Sequence, residues 1–118
     1  MFGVTGTNGK TTCAYLLCQA FDALELRSAF IGTIGSGRID TLAKSERTTP
    51  DAISVHRLLA DYRDQGMTQV CMEVSSHALD QGRVNGVEFF CTLFTNLSHD
   101  HLDYHGDMAA YALSLIHI

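Results

Sequence analysis

Several absences narrow the class of this protein. No run of 18 apolar residues occurs among its 118 residues, so no membrane-spanning helix is expected. No basic segment precedes an apolar one at the start, so no signal peptide is expected either. Basic residues are few, 8 against 13 acidic, giving a net charge of −5 with histidine neutral. That balance disfavours a nucleic-acid-binding surface. The four cysteines (Cys13, Cys18, Cys71 and Cys91) form no C-x-x-C pair. They lie in apolar stretches and read as reduced core thiols of a cytoplasmic protein. Proline occurs once, at Pro50, and there are no repeats or low-complexity segments. Hydrophobic residues make up 46%, which excludes disorder. The chain is expected to be one domain or part of one, burying roughly two-thirds of its unfolded surface.

The most informative stretch is Gly3-Val4-Thr5-Gly6-Thr7-Asn8-Gly9-Lys10-Thr11-Thr12. Glycines let a backbone turn tightly and approach a ligand closely. Backbone N–H groups of such a loop can grip phosphate oxygens, with Lys10 reaching the outer phosphates and Thr11 ligating Mg²⁺. The start of the following helix adds unpaired donors and a partial positive charge. The general pattern G-x-x-x-x-G-K-[ST] asks for glycine at position 4, where this chain has Val4, with Gly3 one residue early. A Gly-rich turn that binds no nucleotide is the alternative reading.

Strand and helix patterns alternate along the chain. Met1–Thr5 reads as the end of a buried strand. Ala14, Leu17, Phe21 and Leu24 recur at helical spacing over Thr11–Leu24. Ser28–Ile34 reads as a strand ended by Gly35-Ser36-Gly37, and residues 35–50 as a long irregular loop. Pro50 sits near the first turn of a helix running to about Asp64, which would bury Ile53, Leu58, Leu59 and Tyr62, with Gly66 as C-cap. Gln69–Val74 reads as a strand, Ser75–Leu79 as a turn or short helix, and Phe89–Leu97 as an apolar strand. A final helix is expected from about Asp107. The alternation argues an α/β fold of the P-loop type, a mostly parallel sheet flanked by helices.

Ligands of open parallel sheets bind beyond the carboxyl ends of the strands. The glycine loop, Glu73-Val74-Ser75-Ser76-His77 and the run from Asn96 to His105 all fall there. Glu73 ends a buried strand and needs a partner, either Mg²⁺ beside a nucleotide or backbone N–H groups. Ser75-Ser76-His77 does not match the G-x-S-x-G elbow, so capping or substrate contact is favoured over covalent serine catalysis. His99-Asp100-His101-Leu102-Asp103-Tyr104-His105 approaches the di-zinc pattern H-x-H-x-D-H, but has Tyr104 where the last histidine belongs. Arg83, after Gln81, could clamp a carboxylate or phosphate or make a surface ion pair. Thr48 and Thr49 could be turn and cap residues.

Four blocks together carry a resemblance: G-x-T-G-T-N-G-K-T-T, R-T-T-P, M-E-V-S-S-H-A-L-D-Q-G-R-V and T-N-L-S-H-D-H-L-D-Y-H-G. In order and spacing they resemble the central ATP-binding domain of the Mur ligases, over most of residues 3–106. The offset first glycine is similar to that family's loop. The resemblance implies an ATP-dependent amide ligase of peptidoglycan synthesis that adds a diamino acid to UDP-MurNAc-L-Ala-D-Glu through an acyl phosphate. It implies ATP and Mg²⁺ as cofactors. ATP would lie on Gly6, Thr7, Asn8, Gly9, Lys10, Thr11 and Thr12. Thr11 and Glu73 would hold one Mg²⁺ and His101 a second. Lys10, Glu73 and His101 would be the catalytic groups. Thr48, Thr49, Ser75, Gln81 and Arg83 would contact the UDP-muramoyl dipeptide. The partners would be small molecules, with no nucleic acid or membrane, and the parent a cytoplasmic monomer. The family's metal-ligating lysine has no counterpart, because Lys44 is the last lysine in the chain. The chain is accordingly expected to be a fragment, inactive alone, without amino-terminal UDP-binding or carboxy-terminal domains, and with residues 113–118 as a non-native tail. The alternatives are another P-loop nucleotide-binding module and a zinc hydrolase built on His99–His105.

Overall fold

The computed structural model describes residues 1–44 and 48–96. The expected final helix, the His99–His105 cluster and residues 113–118 lie outside the described residues. Strand β1 (Phe2–Thr5) leads into helix α1 (Lys10–Ala23). Strands β2 (Ser28–Gly32) and β3 (Gly35–Gly37) follow, then α2 (Ala52–Asp64), β4 (Gln69–Glu73), α3 (Ser76–Asp80) and β5 (Cys91–Phe94). The sheet order is β3-β2-β4-β1-β5. All pairings are parallel except β2 with β3.

Strands buried on both faces explain the near-continuous apolar runs of the sequence. Alternate side chains of β2 and β4 separate onto the two faces. Phe30 and Cys71 join Val4, Ala14 and Cys18 in the core that includes α1. Ala29, Ile31 and Met72 join Val55, Tyr62, Val74, Ala78 and Val84 in the core that includes α2 and α3. Phe30, Ile31 and Met72 are fully buried, each worth about 1.5–3 kcal/mol of hydrophobic burial. The Cys71 thiol is pushed up by its hydrogen bond with Cys18 and by burial, so it stays protonated.

Four expectations need correction. Leu24 does not face the core: α1 ends at Ala23, and Leu24 is 69% exposed. Ile53 is 72% exposed, and Val55 takes the buried place. The phase of α2 is set by Asp51, whose carboxylate caps the helix by accepting from the Ser54 N–H at 2.9 Å. Pro50 lies just before that cap, next to the first turn as expected. Gly35–Gly37 does not simply end β2. It turns back as β3, and Ser36 bridges onward to Ala43, so part of the expected loop is hairpin. Cys91 is no core thiol, because β5 is exposed throughout its length. The expected cap at Gly66 stands as the left-handed residue just beyond the C-cap Gln65 of α2.

Parallel pairing puts the ends of β1, β2, β4 and β5 on one rim. Val4 is level with Glu73, and Thr5 with Phe94. The segments that leave this rim are 6–9, 33–34, 74–75 and 95–96.

Candidate nucleotide and metal site

Val4 is a fully buried strand residue, so the turn of the loop begins at Gly6 and no glycine is needed at position 4. Gly6 has φ 130°, and a Cβ there would collide with the Thr95 side chain and the Asn96 backbone. That close approach has a purpose. The Thr7 N–H donates to the Asn96 carbonyl at 2.9 Å, and the Asn8 N–H to Asn96 Oδ1 at 3.0 Å. Asn96 Nδ2 and Thr95 Oγ1 both donate to the Asn8 carbonyl, at 3.0 and 2.6 Å. The segment after β5 therefore fixes the shape of the loop. Gly9 occupies the N-cap of α1 and brings no side chain to it. Lys10 Nζ lies back over the loop, donating to the Gly6 carbonyl at 2.8 Å and the Thr7 carbonyl at 3.2 Å.

Glu73, at the end of β4, is 1% exposed. Its Oε1 accepts from Thr11 Oγ1 at 2.7 Å and Thr33 Oγ1 at 3.3 Å, and its Oε2 from the Thr33 N–H at 2.7 Å. These donors are all neutral. A buried carboxylate held by neutral donors is costly to keep, and a hard cation would offset that cost. The Thr11 hydroxyl and the Glu73 carboxylate are the oxygen donors that suit Mg²⁺. The residues present thus fit the ion the sequence implies. Among the described residues no group of three histidine, cysteine, aspartate or glutamate side chains could hold a metal. His101 lies outside them.

The loop and Glu73 enclose a cavity of about 230 Å³, lined by Thr7, Asn8, Gly9, Lys10, Thr11, Thr12, Thr33, Thr48 and Glu73. All of these except Thr33 were singled out in the sequence. Gly6 supports the wall without lining it. A larger cleft of about 390 Å³, bordered by Met1, His56, Arg63 and Val70, lies at the amino ends of β1 and β4. We place the site at the smaller cavity, because the loop amides, lysine and carboxylate converge there and ligands of parallel sheets bind at that rim.

Thr48, Thr49, Ser75, Gln81 and Arg83 form one connected patch beside the cavity. Thr49 is fully buried; its hydroxyl donates to the Glu73 carbonyl at 2.7 Å and accepts from the Ser75 N–H at 3.0 Å. Arg83 Nη1 donates to the Thr49 carbonyl at 2.9 Å, and its Nε and Nη2 donate to Gln81 Oε1. Ser75 caps α3, accepting from the Ala78 N–H at 3.1 Å. These bonds fix the patch relative to Glu73.

Sequence reading missed Thr33, Gly32 and the locking role of Thr95 and Asn96. A Cβ on Gly32 would strike the Glu73 carboxylate, so glycine there lets the strand pass against it. The available signal was a Gly-Thr pair at the carboxyl end of an apolar strand, level with the end of β4.

Such a cradle, with lysine, threonine and a buried carboxylate at the ends of adjacent parallel strands, is the arrangement of a P-loop nucleotide-binding domain. Residues 4–118 match the Mur ligase middle domain, and the chain belongs to that family. It is 56% identical over 112 residues to the UDP-N-acetylmuramoyl-L-alanyl-D-glutamate–2,6-diaminopimelate ligase of Chromobacterium violaceum, which covers 95% of this chain and 23% of that protein. It is 51% identical over 112 residues to the ligase of the same name from Coxiella burnetii, again 95% of the chain and 23% of the relative. A solved structure of a ligase of that name superposes with a TM-score of 0.88 at 43% identity, over 97% of this chain and 23% of that one. The chain thus spans about a quarter of the length of these relatives. Among the described residues, no helix is long and apolar enough to cross a membrane.

Proposed function

We propose that the chain is the ATP-binding section of a ligase that joins a diamino acid to UDP-MurNAc-L-Ala-D-Glu in peptidoglycan synthesis. The relatives' names favour 2,6-diaminopimelate as that amino acid. The observation that carries the reading is the hydrogen bond from the half-buried Thr11 hydroxyl to the buried Glu73 carboxylate at the floor of the phosphate cradle.

The protein's part in phosphoryl transfer is positioning and charge neutralisation, so no nucleophilic side chain is needed. Bound Mg²⁺ would neutralise developing phosphate charge, held by Thr11 and Glu73 with His101 helping to hold a second ion. The loop from Gly6 to Thr12 orients the phosphates. Lys10 leaves the Gly6 and Thr7 carbonyls to bind the outer phosphates. Thr48, Thr49, Ser75, Gln81 and Arg83 orient the muramoyl dipeptide, with Arg83 suited to an anionic group. Thr49, being buried, contributes by holding Ser75 and Glu73 in place. The remaining domains of the longer protein would supply UDP binding and amino-acid selection. Small-molecule substrates, a cytoplasmic location and a monomeric parent complete it.

The test uses the full-length protein. ATP hydrolysis is expected to require UDP-muramoyl dipeptide together with the diamino acid. Hydrolysis at the same rate without the dipeptide would indicate a different P-loop enzyme.

A further inference from the structure

Thr33 touches both halves of the site. Its backbone N–H donates to Glu73 Oε2 at 2.7 Å and its hydroxyl to Oε1 at 3.3 Å, so one residue grips both oxygens of the carboxylate. The same hydroxyl lies 3.0 Å from Thr48 Oγ1. A hydroxyl has one proton. Because Thr33 spends its proton on Glu73, Thr48 donates in the contact between the two threonines. The result is a directed chain from Thr48 to Thr33 to Glu73. Hydrogen bonds in such a chain strengthen one another. Thr33 is exposed at the rim, whereas Glu73 beneath it is buried.

We propose that Thr33 is a positioning residue that couples an anionic substrate at Thr48 to a divalent cation at Glu73; this rests on the function proposed above. When an anion accepts the hydrogen bond from the Thr48 hydroxyl in place of Thr33, Thr33 loses its incoming bond and its own bond to Oε1 weakens. The carboxylate then has more electron density for a cation, so dipeptide tightens cation binding. Linkage makes the effect reciprocal, so the cation tightens dipeptide binding by the same factor. The Thr33 N–H bond to Oε2 holds the carboxylate in orientation throughout.

The experiment is a Mn²⁺ titration of the full-length protein followed by electron paramagnetic resonance, with and without UDP-MurNAc-L-Ala-D-Glu. Saturating dipeptide is expected to raise Mn²⁺ affinity about five-fold or more. Thr33→Val keeps shape and backbone N–H and is expected to bring that ratio close to one. Thr33→Ser is expected to restore it. A Thr33→Val protein that keeps the wild-type ratio, or a wild type whose ratio is already one, overturns the coupling. Dipeptide-dependent ATP hydrolysis, measured on the same samples, separates the two levels: if it persists while the ratio result fails, the coupling alone is wrong. If it is absent in the wild type, the underlying function is wrong and the coupling falls with it.

Discussion

Lys10→Ala in the full-length protein is expected to reduce ATP-dependent ligation by about 10³-fold or more, the scale for losing a charged group that meets a transferring phosphoryl. The reason lies in the position of Lys10. It is the first residue of α1, and its ammonium group already hovers over the phosphate loop, on the carbonyls of Gly6 and Thr7. Hydrogen bonds from a charged group contribute about 1.5–3 kcal/mol each, and partial solvation lowers that figure here. The fold is therefore expected to survive, with circular dichroism and melting temperature close to wild type. Lysine stabilises charge that grows during transfer, so kcat should fall more than KM for ATP rises. Near-normal turnover by a folded Lys10→Ala protein would remove the lysine from the mechanism.

Glu73→Gln should separate stability from function. The wild-type carboxylate is buried and held by neutral hydrogen-bond donors that an amide of the same shape can also satisfy in part. Glutamine has the same shape. Its carbonyl oxygen can accept from the Thr33 N–H, and the Thr11 hydroxyl can rotate to accept from the new amide. The ligand-free variant is expected to melt no lower than wild type. The increase in melting temperature that Mg²⁺ gives the wild type should disappear, because the ion no longer binds the folded state preferentially. Ligation should fall at least about 10²-fold, since a bound metal supplies several kcal/mol of charge stabilisation. Calorimetric melting with and without Mg²⁺, run beside an activity assay, reads both effects. A strongly destabilised variant would instead make Glu73 a structural strut.

These expectations were partly legible in the sequence because phosphate chemistry is local. Gly6 to Thr12 are contiguous, and a carboxylate ending the apolar run Val70-Cys71-Met72 stands out wherever the strand is placed. Thr33 was not legible in the same way. Its role comes from β2 lying beside β4, a pairing between residues about 40 apart, and only then does the Thr33 N–H meet Glu73. Asn96 is similar: its grip on Asn8 spans most of the chain and depends on β5 pairing with β1. Helical periodicity marked the faces of α1 and α2 but not their ends. Leu24 fell beyond the last turn, and Ile53 followed a cap whose position sets the phase. Gly35-Ser36-Gly37 has the composition of a turn, and its antiparallel pairing with β2 is a backbone match that composition does not report. β5 has a buried strand's composition, yet among the described residues it is an edge strand of the sheet and is exposed.

The central claim is that the cradle and Glu73 serve transfer of phosphate from ATP to a substrate carboxylate. The most direct measurement follows oxygen. Full-length protein is given ATP, the diamino acid and UDP-MurNAc-L-Ala-D-Glu labelled with ¹⁸O in the glutamate carboxylate, and the released phosphate is analysed by mass spectrometry. Attack of the carboxylate on ATP leaves one labelled oxygen bridging carbon and phosphorus. Amine attack at the carbonyl then expels phosphate carrying that oxygen. One ¹⁸O in each released phosphate is predicted. Phosphate carrying only unlabelled oxygen would mean that water, not the carboxylate, accepts the phosphoryl group, and would contradict the account.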